Sequence, residues 1–366
     1  MPRSRWQSTT AGVSEPPVVE GHPPELGGPQ RLIGRRKRRA GALRVVTFVD
    51  PDQPSSVTML AATLKAADAR ADVDVVAIVD VAYQPPSSSP LRLPRALARW
   101  GALRAFNLNT AAEPSVPVQL WTCDSLAGRR AIPLLAPRQR GVNDPEFVES
   151  LRGLEPDAAF SLMVGQIFGT RLLEACRTPI NFHDGLLPQY QGVAATAWSI
   201  YERATRSGFS FHLMTEEVDR GPVLLQGAVD LGPAAALWPT ERRKTRLASS
   251  QLGAVLDLLA AGTGTPRVPA GPESRFTRAD LRAIRTVEEP DALTAEELSR
   301  RLRAFEVLEV TLSGERANVT ALEQTGQQLR DGRLAFTSAD GVGLEASRIG
   351  HLPPAVRRLR ASLRLG

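Results

Sequence analysis

Cysteine and histidine are scarce in this chain: it carries only Cys123 and Cys176, together with His22, His183, His212 and His351. Two cysteines so far apart build no disulfide framework, and no His or Cys falls at the short spacings of a zinc site, so no metal is expected. Long apolar runs are missing as well. No stretch approaches the roughly 18 residues that would cross a bilayer, and the amino terminus lacks the apolar segment of a signal peptide. The expectation is a soluble, cytoplasmic protein with no membrane partner. Between Val49 and Val57 there is no Gly-x-Gly-x-x-Gly, so a nicotinamide dinucleotide has little support.

What is present is length and apolar content: 366 residues, 42% of them hydrophobic, allow two or three domains with ordinary cores. The net charge of +6 looks like a nucleic-acid signal until it is located. Residues 1–42 hold Arg3, Arg5, Arg31, Arg35, Arg36, Lys37, Arg38 and Arg39 against Glu15, Glu20 and Glu25. That leaves +5 in the first 42 residues and +1 in the rest of the chain. A near-neutral body argues against a large electrostatic footprint for tRNA. Residues 1–42 are rich in Pro, Gly and charge, and read as a solvated basic tail.

From residue 43 the pattern is α/β. The β-branched run Leu43 to Asp50, helical spacing from Val57 to Arg70 and the apolar run Asp72 to Val81 predict a right-handed parallel βαβ unit. Residues 84–114 read as a loop plus one amphipathic helix, and Val116 to Thr122 as a strand. Asp144 and Pro145 mark a helix start, followed by a strand over Asp157–Val164, a helix over Arg171–Cys176 and a strand over Pro179–His183. A helix from Thr196 to Arg203 should pack through Trp198, Ile200 and Tyr201. Phe209–Met214 and Val223–Val229 read as a hairpin, and Leu237–Leu259 as a long closing helix. The catalytic domain is therefore set at 43–262 and a linker at 263–275. Residues 276–366 form a second unit, with a capping box at Thr294-Glu297 and short alternating runs that suggest a small β-barrel.

The chemistry concentrates in Asn181-Phe182-His183-Asp184-Gly185-Leu186-Leu187-Pro188 and in the later Asp219-Arg220-Gly221. An amide can donate to a developing oxyanion, an imidazole moves protons near neutral pH, and a carboxylate can orient the imidazole or a water. Taken singly, each is more simply a turn, core or surface residue. Their occurrence together, at a strand exit where α/β sheets bind ligands, points instead to acyl transfer.

These motifs resemble the formyltransferases that draw a one-carbon unit from 10-formyltetrahydrofolate, whose signature is Asn-x-His, a Leu-Pro turn and an Asp-x-Gly loop. The resemblance runs from about residue 43 to 235 and is most specific over 163–224. It implies a Rossmann-like, mostly parallel sheet with a small OB-like β-barrel after it, and 10-formyltetrahydrofolate as formyl donor. It implies catalytic roles for Asn181 (oxyanion donor), His183 (charge stabilisation and proton transfer) and Asp219 (holding His183 or a water). It also implies a donor pocket lined by Met163, Gly165, Gln166, Ile167 and Phe168, a stiff loop at Leu187 and Pro188, and a pteridine-reading loop over Thr215, Glu216, Glu217 and Val218.

Departures bear on the acceptor. The family usually has serine before Leu-Leu-Pro and often Arg-Gly after Tyr, where this chain has Gly185 and Gln191-Gly192. Val193 to Trp198 also departs from the Ala-Pro-x-Gln common in the tRNA enzymes. The expected partner is thus a primary amine of a small metabolite, an amino sugar or a carrier-tethered amino acid. Methionyl-tRNA is the alternative acceptor, followed by hydrolysis of the donor and by a catalytically dead binding module. A nucleotide-sugar pocket could lie in 84–114 or against Trp238 with Arg242-Arg243-Lys244, although those charges read more simply as a solvated helix face.

Overall fold

The computed structural model describes residues 41–82, 97, 101–103, 106, 122–137, 141–262, 266–312, 314–324 and 334–349. The expectations for 1–42, for the 84–114 insertion and for a strand over 116–122 fall almost wholly outside these residues.

In chain order the first unit comprises β1 (Leu43–Val49), α1 (Pro54–Asp68), β2 (Val73–Asp80), α2 (Cys123–Gly128), β3 (Leu134–Leu135), α3 (Pro145–Arg152), β4 (Ala158–Leu162), α4 (Thr170–Glu174) and β5 (Thr178–His183). It continues through β6 (Gln191–Gly192), α5 (Ala195–Tyr201), β7 (Arg206–Leu213), β8 (Val223–Asp230) and α6 (Leu237–Ala260). Seven strands form one sheet in the order β3-β2-β1-β4-β5-β7-β8. The pairs from β3 to β5 are parallel, whereas β5–β7 and β7–β8 are antiparallel.

Why the sheet is sandwiched can be read from β1, whose side chains alternate between two buried faces. Val45 and Val49 pack with Leu60 and Leu64 of α1 and Leu252 and Leu256 of α6. Val46 and Phe48 pack on the other face with Val148 and Leu151 of α3 and Leu172 of α4. Burying each such aliphatic side chain is worth about 2 kcal/mol. Asp144 starts α3 as expected, its carboxylate accepting from the N–H groups of Glu146 and Phe147, with Pro145 in the first turn.

Beyond α6 follow β9 (Arg275–Phe276), α7 (Arg278–Arg285), β10 (Thr286–Val287), α8 (Ala295–Phe305), β11 (Leu308–Leu312), β12 (Glu315–Gln324), β13 (Leu334–Thr337) and β14 (Gly343–Ile349). The last five strands make a sheet in the order β10-β11-β12-β14-β13 around Val287, Leu298, Leu308, Val310 and Val319. Closure into a barrel is not seen among the described residues. Thr294 does cap α8 by accepting from Glu297 N–H, but the Glu297 carboxylate turns away from the Thr294 N–H to accept from Tyr201 Oη and Arg301 Nε at 2.9 and 2.7 Å. Complete capping boxes occur instead at α7, between Thr277 and Asp280, and at α2, between Thr122 and Ser125. No side chain of α7 is fully buried, and its apolar stripe is the single half-buried pair Leu281 and Ile284, too short to announce it in the sequence.

Candidate active site

The polar residues converge where the sheet changes direction. β5 pairs with antiparallel β7 so that Asn181 lies opposite His212 and His183 opposite Ser210. The loop after β7 then brings Asp219 back over both rungs. His183, His212 and Asp219 are 5%, 2% and 7% exposed, and Asn181 is half-buried.

Distances define the cluster. His183 Nε2 donates to the carbonyl oxygen of Tyr190 at 2.7 Å, which leaves Nδ1 facing Asp219 Oδ2 at 3.4 Å. His212 Nδ1 donates to Leu213 O at 2.9 Å, so its Nε2 is the acceptor, facing Asn181 Nδ2 at 3.2 Å and Asp219 Oδ1 at 3.4 Å. Asp219 Oδ2 also accepts from Gly192 N–H at 2.8 Å. Burial alone pushes this carboxyl up, yet the His183 and His212 rings, whose positive charge when protonated would lie against it, and the Gly192 N–H outweigh burial and hold Asp219 at about 2. A carboxylate therefore persists in a nearly dry setting, and a proton gained at His183 Nδ1 would rest against it.

Gly185 permits the His183 conformation. A Cβ there would stand 2.6 Å from His183 Nε2 and 2.9 Å from Ala195 Cβ, inside contact distance. The loop is pinned from β7 by Ser210, whose Oγ donates to Gly185 O at 2.7 Å and accepts from Leu187 N–H at 3.1 Å. Leu187 and Pro188 are buried, joined by a cis peptide, and close this loop.

The residues expected to line a donor pocket divide. The β4–β5 register pairs Leu162 with Phe182, so Met163 leaves β4 beside His183, half-buried and left-handed at φ 59°. Gly165 is exposed, and Ile167 is 67% exposed, an apolar ledge at the carboxyl edge of the sheet. Gln166 and Phe168 turn away. The Gln166 amide bridges Val142 N–H and Val81 O, each at 3.0 Å, and Phe168 is in the core with its ring 4.8 Å from that of Phe48. In the 215–218 loop, Thr215 Oγ1 donates to Glu217 O, Glu216 accepts from Thr170 Oγ1, and Glu217 pairs with Arg220. Val218 is half-buried. A half-buried thioether and an exposed isoleucine beside a polar cluster fit the edge of a flat heteroaromatic ring.

Two residues near the site escaped the sequence reading. His212, which the sequence allowed to meet His183 in space but gave no catalytic part, lies in the alternation Phe209-Ser210-Phe211-His212, in which both faces prove buried. Lys244, read as part of a solvated face, is 1% exposed. Its Nζ donates to Asp184 O, Thr196 Oγ1 and Gly208 O and lies 3.9 Å from Asp184 Oδ2. Thr196 Oγ1 in turn donates to that carboxylate at 2.7 Å. Burial raises the Asp184 carboxyl, but Lys244 and His183 outweigh it and hold it low. The signal was the row Thr240-Lys244-Ala248-Leu252-Leu256, four apart along one face of α6 and buried throughout. Trp238 is likewise buried, edge-on to Phe106 at 5.2 Å, and offers no stacking face to a base.

The mostly parallel α/β sheet is joined by the comparison with known proteins in placing the chain in a family. The Formyl transferase family profile matches residues 104–254. A methionyl-tRNA formyltransferase of Xanthomonas campestris pv. campestris is 32% identical over 235 residues, covering 62% of this chain and 74% of the relative. The chain belongs to the formyltransferase family. A second methionyl-tRNA formyltransferase, from Trichlorobacter lovleyi, is 33% identical over 155 residues, 41% of this chain, and there the chain spans about half, 48%, of the relative's length. Among solved structures, a sugar N-formyltransferase of a Shewanella species superposes with a TM-score of 0.54 at 17% identity, covering 79% of this chain and 99% of that one. At that identity the likeness concerns the fold. Among the described residues no helix is long and apolar enough to cross a membrane, and no group of three or more His, Cys, Asp or Glu side chains is gathered to hold a metal ion.

Proposed function

We propose that this protein transfers the formyl group of 10-formyltetrahydrofolate to a primary amine of a small metabolite, an amino sugar or a carrier-tethered amino acid. The observation that carries the reading is the convergence of Asn181, His183 and Asp219, from two separate chain segments, within 3.4 Å contacts. In this reaction the amine nitrogen bonds to the formyl carbon and its carbonyl pair moves to oxygen. The attacking nitrogen loses a proton, the oxygen pair returns to re-form the carbonyl as the bond from carbon to the folate nitrogen breaks, and that nitrogen keeps the bonding pair and gains a proton. The products are a formamide and tetrahydrofolate.

In this reading His183 carries the proton at Nδ1, and Asp219 stabilises the ring while it is charged. The Asn181 amide exchanges its contact with His212 or Asp219 for the oxyanion, an interaction of the kind worth about 3 kcal/mol in a transition state. Met163 and Ile167 supply the apolar ledge for the pteridine. Support for a small acceptor comes from Gly185, whose place against His183 leaves no room for the serine usual in the family, and from the near-neutral charge outside the first 42 residues.

Methionyl-tRNA is the second reading, favoured by the identity of the curated relatives at 32–33%. The test is to incubate the protein with 10-formyltetrahydrofolate and follow tetrahydrofolate release as single amines, aminoacyl carriers or methionyl-tRNA are added. Release that depends on a small amine is expected. Release without any acceptor would overturn transfer in favour of hydrolysis, and release only with methionyl-tRNA would replace the acceptor.

A further inference from the structure

The segment after α6, which composition marks as a linker, runs back across both loops that build the active site. Arg267 and Val223 exchange their backbone hydrogen bonds at 2.8 and 2.9 Å. Glu273 accepts from Arg220 Nη2 at 3.1 Å, one residue from Asp219. Ser274 then meets the other loop: Tyr190 N–H donates to Ser274 Oγ at 2.8 Å and Gln191 N–H to Ser274 O at 2.9 Å. Val193 N–H donates to Phe276 O at 3.0 Å, completing the short β6–β9 pair. Phe276 itself lies flat on Trp198 of α5, with ring centroids 4.1 Å apart and planes within 9°.

Loop 190–194 has particular need of such support. Tyr190, Gly192 and Ala194 all adopt positive φ, of 58°, 91° and 59°; glycine does so freely, but at Tyr190 and Ala194 the conformation persists only where surroundings impose it. The contact is close enough that a Cβ on Gly192 would stand 2.1 Å from Phe276 O. The same loop presents Tyr190 O to His183 Nε2 and Gly192 N–H to Asp219 Oδ2. Two backbone groups that fix the imidazole and the carboxylate are thus held from behind by Ser274 and Phe276.

We propose that Ser274 and Phe276 are positioning residues of the active site: through the backbone of Tyr190 and Gly192 they set the orientation of His183 and Asp219, so the site is complete only with the strap over 273–276 in place. The proposal rests on the functional reading above insofar as it concerns turnover, and on geometry alone insofar as it concerns the His183 ring. Neither side chain needs to touch a substrate.

The test uses the full chain and two pairs of variants, Ser274→Ala with Ser274→Thr, and Phe276→Ala with Phe276→Tyr. Ring-nitrogen NMR, with the His183 signal identified by its loss in His183→Asn, reports the hydrogen-bonded Nε2 proton without any substrate. Tetrahydrofolate release with the amine found in the acceptor screen reports kcat and KM. In Ser274→Ala and Phe276→Ala we expect the Nε2 proton signal to broaden into exchange with water. We also expect kcat to fall at least about tenfold, as for misplaced catalytic groups, with KM for the donor changed less than about threefold. Thr and Tyr should restore both. A folded Ser274→Ala protein with an unchanged His183 signal overturns the proposal, even if its melting temperature drops. Should Phe276→Ala fail to fold, the Ser274 pair decides. If the unaltered protein releases no tetrahydrofolate with any acceptor, the functional reading falls while the NMR arm still judges the strap.

Discussion

His212 Nε2 sits 3.2 Å from Asn181 Nδ2, directly across the β5–β7 ladder. Because Nδ1 of the same ring is held by Leu213 O, the imidazole presents an acceptor to the amide and so fixes which way the Asn181 side chain faces. Replacing His212 with Ala should free that amide to rotate, and we expect tetrahydrofolate release to slow at least about tenfold. Steady-state kinetics check this; an unchanged kcat would show that Asn181 is oriented by Asp219 alone.

His183→Ala removes the ring whose Nδ1 faces Asp219 Oδ2. The expected loss in kcat is about a hundredfold or more, the scale of acid–base residues. Retention of full turnover would sink the assignment.

Asp219 makes stability depend on acid. Its folded value of about 2 lies below the ordinary Asp range near 4, so the stabilisation is fully present above that range and drains away as pH falls toward 2. At neutral pH the difference corresponds to roughly 2 kcal/mol. Urea unfolding of the protein and of Asp219→Asn at pH 7 and pH 3.5 should therefore show the gap between them shifting against the unaltered protein at the lower pH. A gap independent of pH would contradict the depressed value.

Lys244→Met leaves the Asp184 carboxylate without its buried cation, a change that typically costs about 3–5 kcal/mol. Adding Asp184→Asn should recover part of that loss. If urea midpoints show Lys244→Met alone to be neutral, the buried pair contributes nothing net.

Gly185→Ser tests the departure from the family pattern. In the present backbone its Cβ would crowd His183 Nε2, and we expect turnover to fall about tenfold or more without loss of the fold. Undiminished activity would mean that the loop shifts freely, and would weaken the link between Gly185 and acceptor choice.

The strands of the main sheet were legible because β1, β2 and β4 are short apolar runs buried on both faces, and α3 because Asp144 and Pro145 mark its start so plainly. Asn181, His183 and Asp219 were legible through spacing. His212 was not, since a histidine in an alternating strand gives no sign of what lies across the ladder. Lys244 was misread because a charge run pulls attention to solvent, while the burial of its own row depends on α6 packing against β7 and β8. The strap was hidden by its Gly and Pro content: much of its pairing runs through backbone groups, and Glu273, Ser274 and Phe276 meet partners far away in sequence, so no periodic side-chain pattern marks them.

The reversal of strand direction between β5 and β7 has a further consequence. Asn181, His183 and His212 stand on rungs of a ladder whose pleat fixes them, whereas Asp219, Tyr190 and Gly192 come from loops. One half of the cluster is therefore as stiff as the sheet, and the other half can be re-cut by loop sequence. On the proposed function, a lineage could exchange one acceptor for another by editing 185–194 or the strap behind it while the rungs that carry Asn181, His183 and His212 stay untouched.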